Sequence, residues 1–139
     1  MNVLIIDGQG GKIGAQLVRE ITERFCDVNV SAVGTNAVAT AAMIKAGAKN
    51  SATGENPVAV ASRKADVIIG PVGIVIADSM LGEVTERMAL SVARADAVRI
   101  LIPMNKCENL VAGVVSCNTA SLISDAVSKL QNIISGEKA

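Results

Sequence analysis

The sequence predicts a doubly wound α/β domain, a mainly parallel sheet with helices on both faces. Three observations carry that prediction. Short β-branched runs alternate with longer segments whose apolar residues recur at helical spacing. The short runs are continuously apolar, as strands buried on both faces are. Turn-forming Gly, Pro, Asn or Thr stands where each run hands over to a helical pattern.

Val3-Leu4-Ile5-Ile6, ending in Asp7-Gly8, is the first strand. Beyond the glycines, Ile13, Leu17, Val18, Ile21 and Phe25 mark one face of a helix, while Lys12, Gln16, Arg19 and Glu23 take the others. Val28 to Val33 reads as a second strand, and Asn36 to Ala46 as an Ala-rich helix closed by Gly47. Lys49 to Thr53 is a short third strand. Asn56-Pro57 has the form of an N-cap and first helical position, opening a helix to about Lys64. Val67-Ile68-Ile69 is the next buried strand. Ile74 to Met80 fits either a strand or the first turns of a helix, Glu83 to Arg94 is helical, and Val98 to Ile102 is again a strand. Leu110 to Val115 is a candidate last strand. Thr119 to Ile134 is the final helix, with Leu122, Ile123, Ala126, Val127, Leu130, Ile133 and Ile134 on one face and Gly136 after it. This order gives right-handed crossovers in one Rossmann-like domain spanning residues 1–139, with too few strands for an eightfold barrel. Any ligand is then expected at the carboxyl ends of the strands.

Composition narrows the function. Half of the 139 residues are hydrophobic, yet Phe25 is the single aromatic residue, so Ala, Val, Ile and Leu must build the core. Thirteen basic residues balance thirteen acidic ones without a basic cluster, which speaks against nucleic acid and anionic membrane as partners. The missing aromatics remove the stacking platforms of single-strand binders. No apolar run reaches the length of a membrane span. The chain has no His, so His-based triads and His metal sites are excluded, and no metal is expected. Cys26, Cys107 and Cys117 form no C-x-x-C pair, and no leader-like segment opens the chain; both point to a cytoplasmic protein.

The candidate site is the set of strand-to-helix loops. Gly8-Gln9-Gly10-Gly11-Lys12-Ile13 follows the first strand and opens the first helix, as a phosphate cradle does. Gly34-Thr35-Asn36 and Gly70-Pro71-Val72-Gly73 share its edge, as do Thr53-Gly54-Glu55-Asn56 and the segment from Pro103 to Cys107. Turns favour such residues in any case. Gly8, Gly11 and Gly14 give G-x-x-G-x-x-G, whereas the common G-x-G-x-x-G is broken by Ile13. Over about the first 25 residues the loop resembles that of dihydrodipicolinate reductase, which implies NAD or NADP as the ligand. Two features stand apart from that pattern. Asp7 would repel a pyrophosphate unless it turns away, caps amides or meets a cation, and the second strand ends without the acid that usually holds an adenosine ribose.

Catalytic candidates are Asn105, Lys106 and Cys107, where a neighbouring ammonium can lower a thiol pKa; Cys26 and Cys117 read as packing residues. Met80-Leu81-Gly82-Glu83 reads as a helix start that supplies interface surface. Through Ile6-Asp7-Gly8-Gln9-Gly10-Gly11, Gly34-Thr35-Asn36-Ala37, Ala52-Thr53-Gly54-Glu55-Asn56, Ile69-Gly70-Pro71, Ser79-Met80-Leu81-Gly82-Glu83 and the Pro103 to Cys107 segment, the chain is similar to a family of short, uncharacterised bacterial proteins. That resemblance implies a Rossmann-like fold and no particular activity. The reading that follows is a nucleotide- or dinucleotide-binding sensor or carrier, a homo-oligomer of two or more copies. Its rivals are a small reductase or transferase with a site completed between subunits, and an oligomeric interaction protein without ligand.

Overall fold

Alternation along the first strand sets the architecture. In the computed structural model, which describes residues 1–104, 109–115 and 118–137, β1 (Asn2–Asp7) sends Val3 and Ile5 to one face of the sheet and Leu4 and Ile6 to the other. Both faces are therefore covered. On the first lie α1 (Lys12–Arg24), α2 (Ala37–Lys45) and α5 (Thr119–Ile134), which bring Leu17, Ile21, Met43, Val127 and Leu130 onto Ile5, Ala32 and Ile69. On the second lie α3 (Glu55–Ser62) and α4 (Glu86–Arg94), which bring Val58, Met88 and Val92 onto Leu4, Ile6 and Ile68.

Strands β2 (Asn29–Gly34), β3 (Asn50–Thr53), β4 (Val67–Pro71) and β5 (Val98–Ile102) complete an all-parallel sheet in the order β3-β2-β1-β4-β5. The order turns back at β1, whose neighbours are β2 and β4. The carboxyl ends of β1 and β4 thus flank the crevice where such sheets bind ligands. The doubly wound, Rossmann-like fold is as the sequence predicts. Side-chain caps start three helices: Asn36 accepts from the Ala39 amide, Thr85 from Met88 and Asn118 from Ser121.

Four elements differ from expectation. Residues 109–115 form no strand, because Gly113 is left-handed at φ 86° and the Val114 N–H turns back to the Val111 carbonyl. Helix α3 begins at Glu55 rather than at Pro57, entered through Gly54 at φ 105°; Pro57 falls in the first turn, where its missing N–H is not needed. Ile74 belongs to neither a strand nor an α-helix but to a 3-10 turn over Val72–Val75. Helix α4 starts at Glu86, so Ser79 to Glu83 stays outside it as an irregular segment. No helix among the described residues is long and apolar enough to cross a membrane.

Candidate functional site

Helix α1 begins without a side-chain cap of its own. Gly11, at φ 72°, is its N-cap residue and has no side chain to offer. The buried carboxylate of Asp7 does that work from the end of β1. Its Oδ1 accepts the Gly8 N–H at 2.8 Å and its Oδ2 the Gly14 N–H at 2.7 Å, with the Ile13 N–H also directed at it. Of the three ways Asp7 could avoid opposing a ligand, it takes amide capping. Burial raises its pKa above the usual 3.8; the Gly14 and Gly8 amides pull against that rise, and the charge of Glu83 adds to it.

The remaining loop amides divide into two groups. The Gly11 N–H returns to the Gly8 carbonyl at 2.9 Å, and the Gln9 N–H donates to Glu83 Oε1 at 2.9 Å. The N–H groups of Gly10 and Lys12 make no hydrogen bond to any described residue, and both residues are exposed. A Cβ placed on Gly10 would meet nothing within 4 Å, so the backbone there is open to approach. The other loop glycines serve packing: a Cβ on Gly11 would stand 2.7 Å from the Ala39 Cα, and one on Gly14 would stand 2.6 Å from the Met43 sulfur.

Glu83 reaches this edge from the irregular segment after β4. Besides the Gln9 amide, its Oε1 accepts from the Thr35 hydroxyl at 2.8 Å and the Asn36 side-chain amide at 2.6 Å. Asn36 also donates to the Gln9 carbonyl at 3.0 Å while its Oδ1 caps α2. Burial pushes the Glu83 carboxyl up, but the three donors outweigh it and hold the group below its ordinary 4.5. Met80 lies alongside, its sulfur 2.5 Å from where a Gly8 Cβ would be.

Gly8 to Ile13, Thr35 and Asn36 are thus brought together at one sheet edge. Gly34 and Gly70 sit where side chains would strike Thr40 and the Ile6 carbonyl, and Gly73 lies under Ser79. Pro71 closes β4, and Val72 opens the 3-10 turn beside it. Asn105, Lys106, Cys107 and Cys117 lie outside the described residues. Cys26 is exposed on the turn after α1, not a packing residue, because the chain leaves the helix at Phe25 before β2 begins. Sequence reasoning missed the part Glu83 and Met80 take in this edge, because nothing local says that an acid 47 residues beyond Asn36 accepts its side-chain amide.

A separate groove of about 480 Å³ opens beside α3, toward the amino ends of β1, β2 and β3, between Asn2, Ser31, Asn50, Pro57, Ala61 and Lys64. Short α3 leaves that part of the sheet face uncovered. Among the described residues, no group of His, Cys, Asp and Glu is placed to hold a metal.

A family model for a domain of unknown function, DUF3842, matches residues 2–135. No curated protein matches the chain. Among solved structures, it is similar to the crystal structure of a dodecameric FMN-dependent UbiX-like decarboxylase from Escherichia coli O157:H7. The identity is 17%, the TM-score is 0.47, and the match covers 94% of this chain and 77% of that one.

Proposed function

The chain belongs to the DUF3842 family, and from that premise we propose that it is a nucleotide-binding module that senses or carries its ligand at the carboxyl edge of the sheet. The observation that carries the reading is the pair of unpaired, exposed N–H groups of Gly10 and Lys12 at the start of α1, beside the amides of Gly8, Gln9, Gly11 and Gly14, which are bonded within the protein. Phosphate oxygens accept from such a pair, and the α1 dipole and the Lys12 ammonium favour the same negative charge. Asp7, engaged beneath the loop, organises the amides rather than competing for the outer face. Thr35 and Asn36, one strand over, supply a hydroxyl and an amide of the kind that binds sugar hydroxyls.

The loop's resemblance to that of dihydrodipicolinate reductase supports a phosphorylated ligand, with NAD and NADP in the first group to test. Homo-oligomerisation is part of the proposal, with Leu81 and Leu110, 99% and 94% exposed, as apolar side chains that a second copy would cover.

Thermal melts with NAD, NADP, ATP, GTP, FMN, AMP and GMP test the reading. A ligand at a hundredfold excess over Kd stabilises the fold by about 2.7 kcal/mol and raises Tm by several degrees. Gly10→Asp, which puts a carboxylate into open space at the phosphate position, removes the rise and leaves the ligand-free Tm nearly unchanged. If none of these nucleotides moves the wild-type Tm, the reading fails.

A further inference from the structure

Residues 78–83 form a strap across the glycine loop, and its backbone is unusual. Asp78, Met80 and Leu81 have φ of 65°, 56° and 56°, and Gly82 follows at 89°. Left-handed backbone is disfavoured for side-chain-bearing residues because Cβ crowds the following carbonyl oxygen. Leu81, at the tip, is 99% exposed and gains no packing within its own chain. The strap is closed on itself by the Asp78 N–H to the Val84 carbonyl and the Gly82 N–H to the Asp78 carbonyl, and Ser79 ties it to the Gly73 carbonyl. What fastens it to the glycine loop is Met80 over Gly8 and Glu83 on its three donors.

Those three donors are a loop N–H, a hydroxyl and a carboxamide, at the place where the nucleotide reading seats a ligand. Resting on that reading, we infer that the strap is a built-in latch: the Glu83 carboxylate stands in for an anionic ligand, and a phosphorylated ligand binds by displacing it. A phosphate on the Gly10 and Lys12 amides adjoins the Gln9 amide that holds Glu83. Two anions on neighbouring amides repel, and the phosphate carries the larger charge with Lys12 beside it. Departure of Glu83 takes Met80 off Gly8 and frees Thr35 and Asn36 for the sugar. It also lets the left-handed residues relax.

Titration calorimetry of the full chain with ATP and with NAD tests this, using wild type, Glu83→Ala and Glu83→Gln. Hydrogen exchange of the strap amides is followed alongside. Removing the internal competitor makes Glu83→Ala bind about tenfold tighter, the worth of roughly one charge-assisted hydrogen bond. Glu83→Gln, which keeps the shape without the charge, shifts in the same direction. Strap amides exchange faster in the wild type when ligand is bound. Binding by the variants alone, with none by wild type, overturns the latch, because the ligand then never displaces Glu83. Equal or weaker binding by both variants, or slower strap exchange on binding, overturns it while leaving wild-type nucleotide binding in place. If neither wild type nor variant binds ATP or NAD, the latch and the nucleotide reading fall together.

Discussion

Asp7 Oδ2 accepts the Gly14 N–H at 2.7 Å, so the last residue of β1 caps the helix that follows it across a seven-residue interval. This contact fixes the shape of the glycine loop before any ligand arrives. Asp7→Ala leaves the Gly8 and Gly14 donors without their acceptor in a buried setting, and a loss of about 2–3 kcal/mol is expected. Urea denaturation of the two proteins measures it. A loss below about 0.5 kcal/mol, within the range of ordinary surface substitutions, would mean that other groups cap α1.

The pKa values of two carboxyl groups at this edge are displaced in opposite directions. The Asp7 pKa is raised, so its contribution to stability is fully present below its ordinary 3.8 and is lost as pH rises through the folded value. The Glu83 pKa is lowered, so its contribution is present above its ordinary 4.5 and is lost as pH falls through the folded value. Melting temperatures of wild type and Glu83→Gln therefore converge on acidification below 4.5, whereas wild type gains on Asp7→Asn over the range where Asp7 takes up its proton. Parallel pH profiles for all three proteins would contradict both assignments.

Neighbouring glycines are expected to respond differently to the same change. Gly11→Ala places a Cβ 2.7 Å from the Ala39 Cα at a residue with φ 72°, and the backbone term alone costs about 1–2 kcal/mol. Gly10→Ala meets open space and is nearly neutral in thermal melts. Equal losses at the two positions would show that α1 and α2 do not approach as closely here as described.

Self-association is checked by sedimentation at micromolar concentration. The species expected has at least twice the 14.2 kDa of one chain. Leu81→Asn, a change that a left-handed position tolerates, lowers the association. A monomer throughout would remove the oligomer from the proposal.

Much of the fold was legible because it rests on periodicity. Val3 to Ile6 alternate between two cores as a doubly covered strand must, and Thr119 to Ile134 is a helix with Ile123, Ala126, Val127 and Leu130 buried along one stripe. Where the apolar signal lacks a period, the reading went astray. Leu110 to Val115 has the composition of a strand, but Gly113 turns it, and Ile74 is buried in a 3-10 turn rather than in a longer element. The glycine loop was visible from its spacing. Its dependence on Glu83 was not, since a contact between residues 9 and 83 is a product of sheet order rather than of local pattern.

The central claim concerns two particular amides, and backbone amide spectra recorded during titration with ATP and with NAD examine them directly. The account predicts the largest shifts at Gly10 and Lys12, accompanied by Gln9, with Gly8 and Gly14 little changed because Asp7 already holds them. Shifts confined to the groove beside α3, at Ser31 and Ala61, or an unchanged spectrum with both ligands, would contradict it.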